Sequence, residues 1–182
     1  MKLPTLLCAI GILAGPGAAR AEDTCQVIGD ADRKVLLTPA HLFTVQNMDV
    51  HSNIPEKIET IYTGGPDGKV YVMTKGKWGL SKQSAAEQQK QYDATPKMPE
   101  ICQHLRDESV NGEAASVYIS RRVFSEQSPD GTPGASIEAT TWISKSTGLP
   151  LRRETDMSVG GPGGKGHWSI RYDYVHVQPP QI

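Results

Sequence analysis

From residue 113 to residue 177 the chain changes character at every second position, and a period of two leaves few folds open. Ala115, Val117, Ile119 and Val123 alternate with Ser116, Tyr118 and Ser120, while Ile137, Ala139, Thr141 and Ile143 alternate with Glu138, Thr140 and Trp142. Leu149, Leu151, Met157 and Val159 share a parity against Arg152, Glu154, Asp156 and Ser158. Trp168, Ile170, Tyr172 and Tyr174 stand opposite Arg171 and Asp173. Strand side chains point alternately to two faces, so each run offers one apolar face and one wetted face. Turn sequences at Asn111-Gly112, Pro129-Asp130-Gly131, Thr147-Gly148 and Gly160–Gly166 join the runs, and several are short enough for hairpins. The pattern predicts an antiparallel meander, that is, one large curved sheet that must cover its apolar face with helices or fold it around a cavity.

The first half supplies the rest of that sheet and its cover. Asp30–Leu37 reads as a short helix, with Asp30 as cap, Ala31, Val35 and Leu36 near one face, and Pro39 as its end. His41–Asn47, Lys57–Thr63 and Lys69–Thr74 read as strands, with Gly64-Gly65-Pro66-Asp67-Gly68 turning between the last two. Gly76 then turns the chain into Trp78–Leu80. Gln83–Tyr92 is a strongly helix-forming polar stretch that Pro96 and Pro99 close. The fold class is therefore mainly β (α+β), with helices confined to about residues 30–37 and 83–92.

Residues 1–21 have the form of a secretory signal. Lys2 gives a positive start, Leu6–Ala14 an apolar run, and Ala19-Arg20-Ala21 a small-x-small cleavage site before Glu22. The apolar run is too short to span a bilayer and is broken by Gly15-Pro16-Gly17. Cys8 sits inside that run with Leu7 before it, which does not fit a lipidation site. The chain thus divides into a signal peptide, 1–21, and one domain, 22–182, addressed to the periplasm and without a transmembrane segment. Losing Lys2 and Arg20 moves the formal net charge from −1 to −3, which gives no basic field to draw nucleic acid or an anionic membrane. Removing Cys8 leaves Cys25 and Cys102. A lone pair in an oxidising compartment most simply forms one disulfide, since redox and metal sites call for clustered cysteines such as C-x-x-C.

Several motifs together resemble a known family. Cys25…Ala31-x-x-Lys34, Thr38-Pro39-Ala40-His41, Trp142-Ile143-Ser144-Lys145-Ser146-Thr147-Gly148-Leu149-Pro150-Leu151-Arg152 and Tyr172-Asp173-Tyr174-x-x-Val177 are similar to exported bacterial proteins of the lipoprotein-carrier-like (LolA/LolB-like) superfamily. Asp107–Tyr118 belongs to the same pattern. The most telling piece is a tryptophan-bearing strand, a Thr-Gly-Leu-Pro turn and an arginine-bearing return strand. The resemblance implies an unclosed, strongly curved antiparallel half-barrel, helices over its concave face, and an apolar cavity beneath them. The best-known members carry acyl chains of lipoproteins across the periplasm.

Other constellations point to no chemistry. Gly160-Gly161-Pro162-Gly163-Gly164-Lys165-Gly166 lacks the spacing of a phosphate loop, with Val159 and Gly166 at the two diagnostic places, and reads as a hairpin loop. His41, His51, His104, His167 and His176 form no H-x-H or H-x-x-x-H pair, so neither metal nor cofactor is expected. His41 is expected to pack or cap near the first helix–strand junction. No G-x-S-x-G elbow occurs, and the pairs Asp107-Glu108 and Glu154/Asp156 read as solvated charge, so no catalytic residue is assigned.

Aromatic residues carry the functional expectation. Trp142, Trp168, Tyr172 and Tyr118 offer broad apolar contact with a polar edge, which suits a cavity lining. Arg152 and Arg153 lie beside them; one turns to solvent and the other pairs with a head group or carboxylate, and Arg152 joins the candidate set. These residues describe a non-enzymatic periplasmic carrier-like protein with a lipid, acyl chain or other amphiphile as ligand, and an envelope protein as a further partner. The alternative is a structural or regulatory module that binds a partner peptide through its cleft or sheet edge.

Overall fold

The computed structural model of the chain describes residues 21–48, 52–65, 67–94, 99–124, 134–158 and 164–182. Residues 1–20 of the signal-peptide reading, the Pro129-Asp130-Gly131 turn and most of the Gly160–Gly166 loop lie outside the described residues. The alternation becomes strands where it was read. β1 (Ala40–Met48), β2 (Ser52–Tyr62), β3 (Val70–Thr74) and β4 (Lys77–Leu80) form one meander, and β5 (Glu100–Val110), β6 (Glu113–Val123), β7 (Ser136–Ser144), β8 (Pro150–Ser158) and β9 (Lys165–Asp173) form a second. β9 pairs with β1, which joins the two into a nine-stranded antiparallel sheet in the order β4-β3-β2-β1-β9-β8-β7-β6-β5. β4 and β5 are its margins and do not pair with each other, so the sheet is unclosed. Among the described residues two helices accompany it, α1 (Ala21–Leu37) and α2 (Ala85–Ala94).

α1 is about twice the length expected from sequence and begins well before Asp30. The reason is a stripe that runs through Gly29-Asp30: Thr24, Ile28, Ala31 and Val35, spaced by four, three and four residues, are all buried. Asp30 caps nothing. Its carboxylate instead accepts from Gln26 Nε2 and Arg33 Nη1 on the helix surface. Pro39 ends the helix, and its last carbonyls are taken up by Thr38 Oγ1 donating to Lys34 O at 2.7 Å and Gly65 N donating to Leu37 O at 2.9 Å. Gly64 seats this junction. It has φ 77°, and a Cβ there would lie 2.5 Å from Pro39 Cδ, so the β2–β3 turn approaches the helix end through a residue that must be glycine. α2 starts on a capping box, with Ser84 Oγ accepting from Glu87 N and Glu87 Oε2 accepting from Ser84 N at 2.7 Å.

The strand β5 is absent from the sequence reading. Its residues do not alternate cleanly: Cys102 is buried, but Ile101 and Leu105 are exposed, and a bulge between His104 and Arg106 reverses the parity midway. The disulfide Cys25–Cys102, with Cα atoms 5.2 Å apart and a sequence separation of 77, ties α1 to this strand. Cys25 and Tyr118 pack with Ile28, Ala31, Cys102 and Ile143 at one end of α1. At the other end Val35 meets Ala40 and Leu149, with Leu42, Tyr62, Tyr172 and Tyr174 around them. These clusters define the inner, helix-bearing face. A third, formed by Ala115, Val117 and Trp142 with Val110 and Leu151, lies on the outer face.

Candidate functional site

Residues directly opposite one another on neighbouring strands share a face, so the register sorts every side chain of the sheet. One inner row runs Tyr118, Thr141, Arg153, Ile170, Thr44 across β6, β7, β8, β9 and β1. The next runs Ser120, Ala139, Thr155, Trp168, Gln46, and the one beyond it Arg122, Ile137, Met157, Gly166, Met48. Tyr172 stands one step the other way, opposite Leu42. Tyr118, Trp168 and Tyr172, expected together from the sequence, thus do share the inner face.

Trp142 and Arg152 do not. They face each other across β7 and β8 in a row that spans the whole outer face: Arg106, Val117, Trp142, Arg152, Arg171, Phe43, Glu59, Met73, Trp78. The Arg152 guanidinium lies 5.0 Å from the Trp142 ring centroid, and the indole Nε1 donates to Glu108 Oε1. Successive side chains of β7 alternate, so Trp142 is buried on the outer face while its neighbour Ile143 packs under α1. The placement of Trp142 and Arg152 is thus on the far side of the sheet from the other three candidates.

Arg153 takes the inner position that the sequence left unassigned between the two arginines. Its Nη2 donates to Asp32 Oδ1 of α1 at 2.5 Å and its Nε to Thr141 Oγ1 at 3.0 Å, and the two charged side chains keep 19% and 25% of their exposure. Burial opposes the charge on Arg153, yet the Asp32 carboxylate beside it holds the guanidinium protonated. Burial also raises the phenols of Tyr62, Tyr172 and Tyr174 above the ordinary tyrosine value. They remain neutral, Tyr174 donating to Pro150 O at 2.6 Å and Tyr62 to Gln88 Oε1 at 3.2 Å. A residue pattern in the sequence pointed here: Asp32 falls inside the buried stripe of α1, and an acid there needs an interior cation.

Between α1 and strands β5–β8 lies a recess of about 150 Å³. Ile28, Ile137 and Ala139 give it an apolar lining, while Asp32 and Arg153 on one side and Glu100 and Arg122 on the other give it charge. Arg122 Nη2 donates to Glu100 Oε2 at 2.9 Å. Beyond α1, which meets β1 and β9 at their Ala40, Leu42 and Tyr172 end, the inner face continues half-buried through Thr44, Met48, Ile58, Met157, Trp168 and Ile170. Together these form a shallow, mostly apolar trough that opens from a small charged recess.

The carboxylates weighed for catalysis are engaged elsewhere. Asp107 is held at about 2 by hydrogen bonds from Lys145, Ser116 and His104, and Glu108 is lowered by Trp142 and Arg106. A general acid at neutral pH needs the opposite shift. Glu154 pairs with Arg152 and His167, and Asp156 with His167, whose imidazole is raised by these partners, Asp156 foremost. His41 packs rather than caps: its Nε2 lies 2.8 Å from Glu59 Oε2 and its ring 4.0 Å from that of Phe43. Cys25, Glu100 and Cys102 bring potential metal donors within 4.8 Å of one another, but both sulfurs are bonded to each other, and the set offers no thiolate.

No protein-family model and no curated protein matches the chain. Among solved structures it is similar to the lipoprotein LppX of Mycobacterium tuberculosis (12% identity, 90% of this chain and 100% of that chain, TM-score 0.46). It is likewise similar to LprF from Mycobacterium bovis (12% identity, 90% and 99%, TM-score 0.48). A LolA superfamily protein from Nitrosomonas europaea, which bears the name of the family that the sequence resembles, is similar at 10% identity over 86% of this chain and 92% of that chain, with a TM-score of 0.30. The likeness is in the course of the chain.

Proposed function

We propose that this is a non-enzymatic periplasmic protein that holds an apolar or amphiphilic ligand against the inner face of its sheet. The observation that carries the reading is the unequal cover of that face. α1 occupies the β5–β8 side, while Trp168, Ile170, Ile58 and Met157 lie half-buried on the rest of the inner face, and we read them as the surface that takes an apolar body. The recess alone, at about 150 Å³, is half the lower bound of about 300 Å³ typical of ligand pockets, so a chain-like ligand lies along the trough rather than inside the recess. Each methylene buried there contributes about 0.8 kcal/mol. Export fits the remaining features: the Cys25–Cys102 disulfide belongs to an oxidising compartment, and among the described residues no helix is long and apolar enough to cross a membrane. We place signal cleavage before Glu22. β5 exposes Ile101 and Leu105 at a sheet margin, but its bulge and dense charge oppose the addition of a partner strand.

A fluorescence titration of delipidated protein tests the reading. Of the three tryptophans, Trp168 alone is on the inner face. Straight-chain fatty acids should shift its emission saturably, with affinity rising about fifteenfold for every two added carbons until the trough is full. Trp168→Phe should abolish the response and Trp142→Phe should leave it. A response that follows Trp142 instead, or no saturable response in folded, stripped protein, refutes the reading.

A further inference from the structure

The proposed site says nothing yet about the polar end of its ligand, and the recess under α1 does. Two ion pairs border one small space: Asp32–Arg153 at 2.5 Å and Glu100–Arg122 at 2.9 Å, with Ile137 and Ala139 of β7 between them. The order across the sheet is fixed by register, since Glu100 faces Arg122 across β5 and β6, Arg122 faces Ile137 across β6 and β7, and Ala139 faces Thr155, two residues from Arg153, across β7 and β8. Its volume of about 150 Å³ equals that of a cavity that takes up a benzene-sized body, which is the scale of a head group and too small for a long acyl chain. The trough through Trp168 and Ile170 continues from it on the same face.

We propose that this recess is a head-group subsite for amphiphiles with a zwitterionic head. The inference rests on the amphiphile-binding reading above and names its ligand class. The bordering charges are two cations and two anions. An anionic head entering here gains from Arg122 or Arg153 but meets Glu100 and Asp32 at similar range, and a cationic head meets the converse. A partly buried setting makes such an uncompensated charge expensive. A zwitterion instead places its anion toward a guanidinium and its cation toward a carboxylate, and leaves the site neutral. Arg122 and Glu100 are the adjustable half, because the Arg122 side chain keeps 44% of its exposure while Arg153 is bound to α1 through Asp32.

The test compares three probes with one twelve-carbon tail, all below their micellar concentrations: dodecylphosphocholine, dodecanoate and dodecyltrimethylammonium. Wild-type protein should bind the phosphocholine at least about tenfold more tightly than either singly charged probe. Glu100→Gln leaves Arg122 unopposed and should move the preference toward dodecanoate; Arg122→Gln should move it toward the ammonium. Melting curves recorded with each titration confirm that both variants are folded. Equal affinity for the three heads, or a ranking that neither substitution alters, overturns the subsite while chain-length-dependent binding still upholds the trough. No binding of any probe to folded protein overturns both.

Discussion

Asp32 and Arg153 are the residues on which the interior depends, and their energetics separate pairing from mere presence. Both keep about a fifth to a quarter of their side-chain exposure, so the pair is neither solvated nor fully dry. Removing one partner leaves the other half-buried and uncompensated, whereas replacing both by apolar groups of similar size removes the desolvation cost as well. Asp32→Ala should therefore lower stability by about 1–3 kcal/mol, and Arg153→Met by a similar amount, while Asp32→Leu combined with Arg153→Met should recover most of that loss. Urea denaturation of the set measures this, and additive losses in the double variant would show that the two side chains act independently. The same position shows where residue-level reading of the sequence succeeds and where it stops. Trp168 and Tyr172 were legible as one face because β9 keeps strict parity, whereas Tyr118 stands at the parity that reads as wetted in β6 and reaches the inner face because Ala115 and Val117 pack on the outer one. Trp142 and Arg152 were grouped with them by residue type, although both stand at the wetted parity of β7 and β8, and the register keeps them on the outer face. Arg153 was hidden for the complementary reason: a charged residue at an apolar parity looks like an interruption until the acid on the facing helix is seen.

At the scale of elements, the strands β1 to β4 and β6 to β9 were readable from two-residue alternation and the turns between them, although the end of β7 is buried on both faces. α1 and β5 were the two misjudged elements, and they are the two that the disulfide joins. The upstream half of α1 escaped notice because Gly29-Asp30 resembles a helix start, although the four-three-four spacing of Thr24, Ile28, Ala31 and Val35 runs through it. β5 escaped because a margin strand with a bulge has no consistent apolar face to display. Each element thus draws its position from the other, and the Cys25–Cys102 bond fixes the pairing across 77 residues of sequence. In the chain-entropy model a closed loop of that size is worth about 4–5 kcal/mol, and loss of native disulfides commonly costs about 2–5 kcal/mol. Replacing both cysteines by serine should lower stability within that range and should loosen α1 first. Denaturation midpoints and the protease sensitivity of residues 21–37 report the two effects. A double-serine protein as stable as wild type, with α1 equally protected, would show that Ile28, Ala31 and Ile143 suffice to seat the helix without the bond.

For the whole molecule, an unclosed sheet has a graded stability that a closed barrel would lack. β9 and β1 join the two meanders, and β8 and β7 lie beside them, so their amides pair on both sides along nearly their full length. The two margins are unlike each other. β4 has four residues, includes Gly79, exposes Leu80, and is paired to β3 alone. β5 has eleven residues, pairs along β6, and is held from above by α1 and by the disulfide. Local opening follows buried contact and the loss of pairing partners, so it should begin at β4 and spread through β3, not at β5. Hydrogen exchange followed residue by residue should show the β4 and β3 amides exchanging fastest among the strands, the paired amides of β5 intermediate, and those of β1, β9, β8 and β7 slowest, at the rate of global unfolding. Reduction of the disulfide should speed exchange in β5 and the start of α1 more than in β4 and β3, because Cys25 and Cys102 lie there, whereas the β2–β3 turn meets α1 at its far end, at Leu37 and Pro39. Uniform protection across all nine strands would mean that the sheet opens only as a whole. A β9 that exchanges as fast as β4 would mean that the seam between the two meanders, rather than the thin margin, is the place where this sheet comes apart.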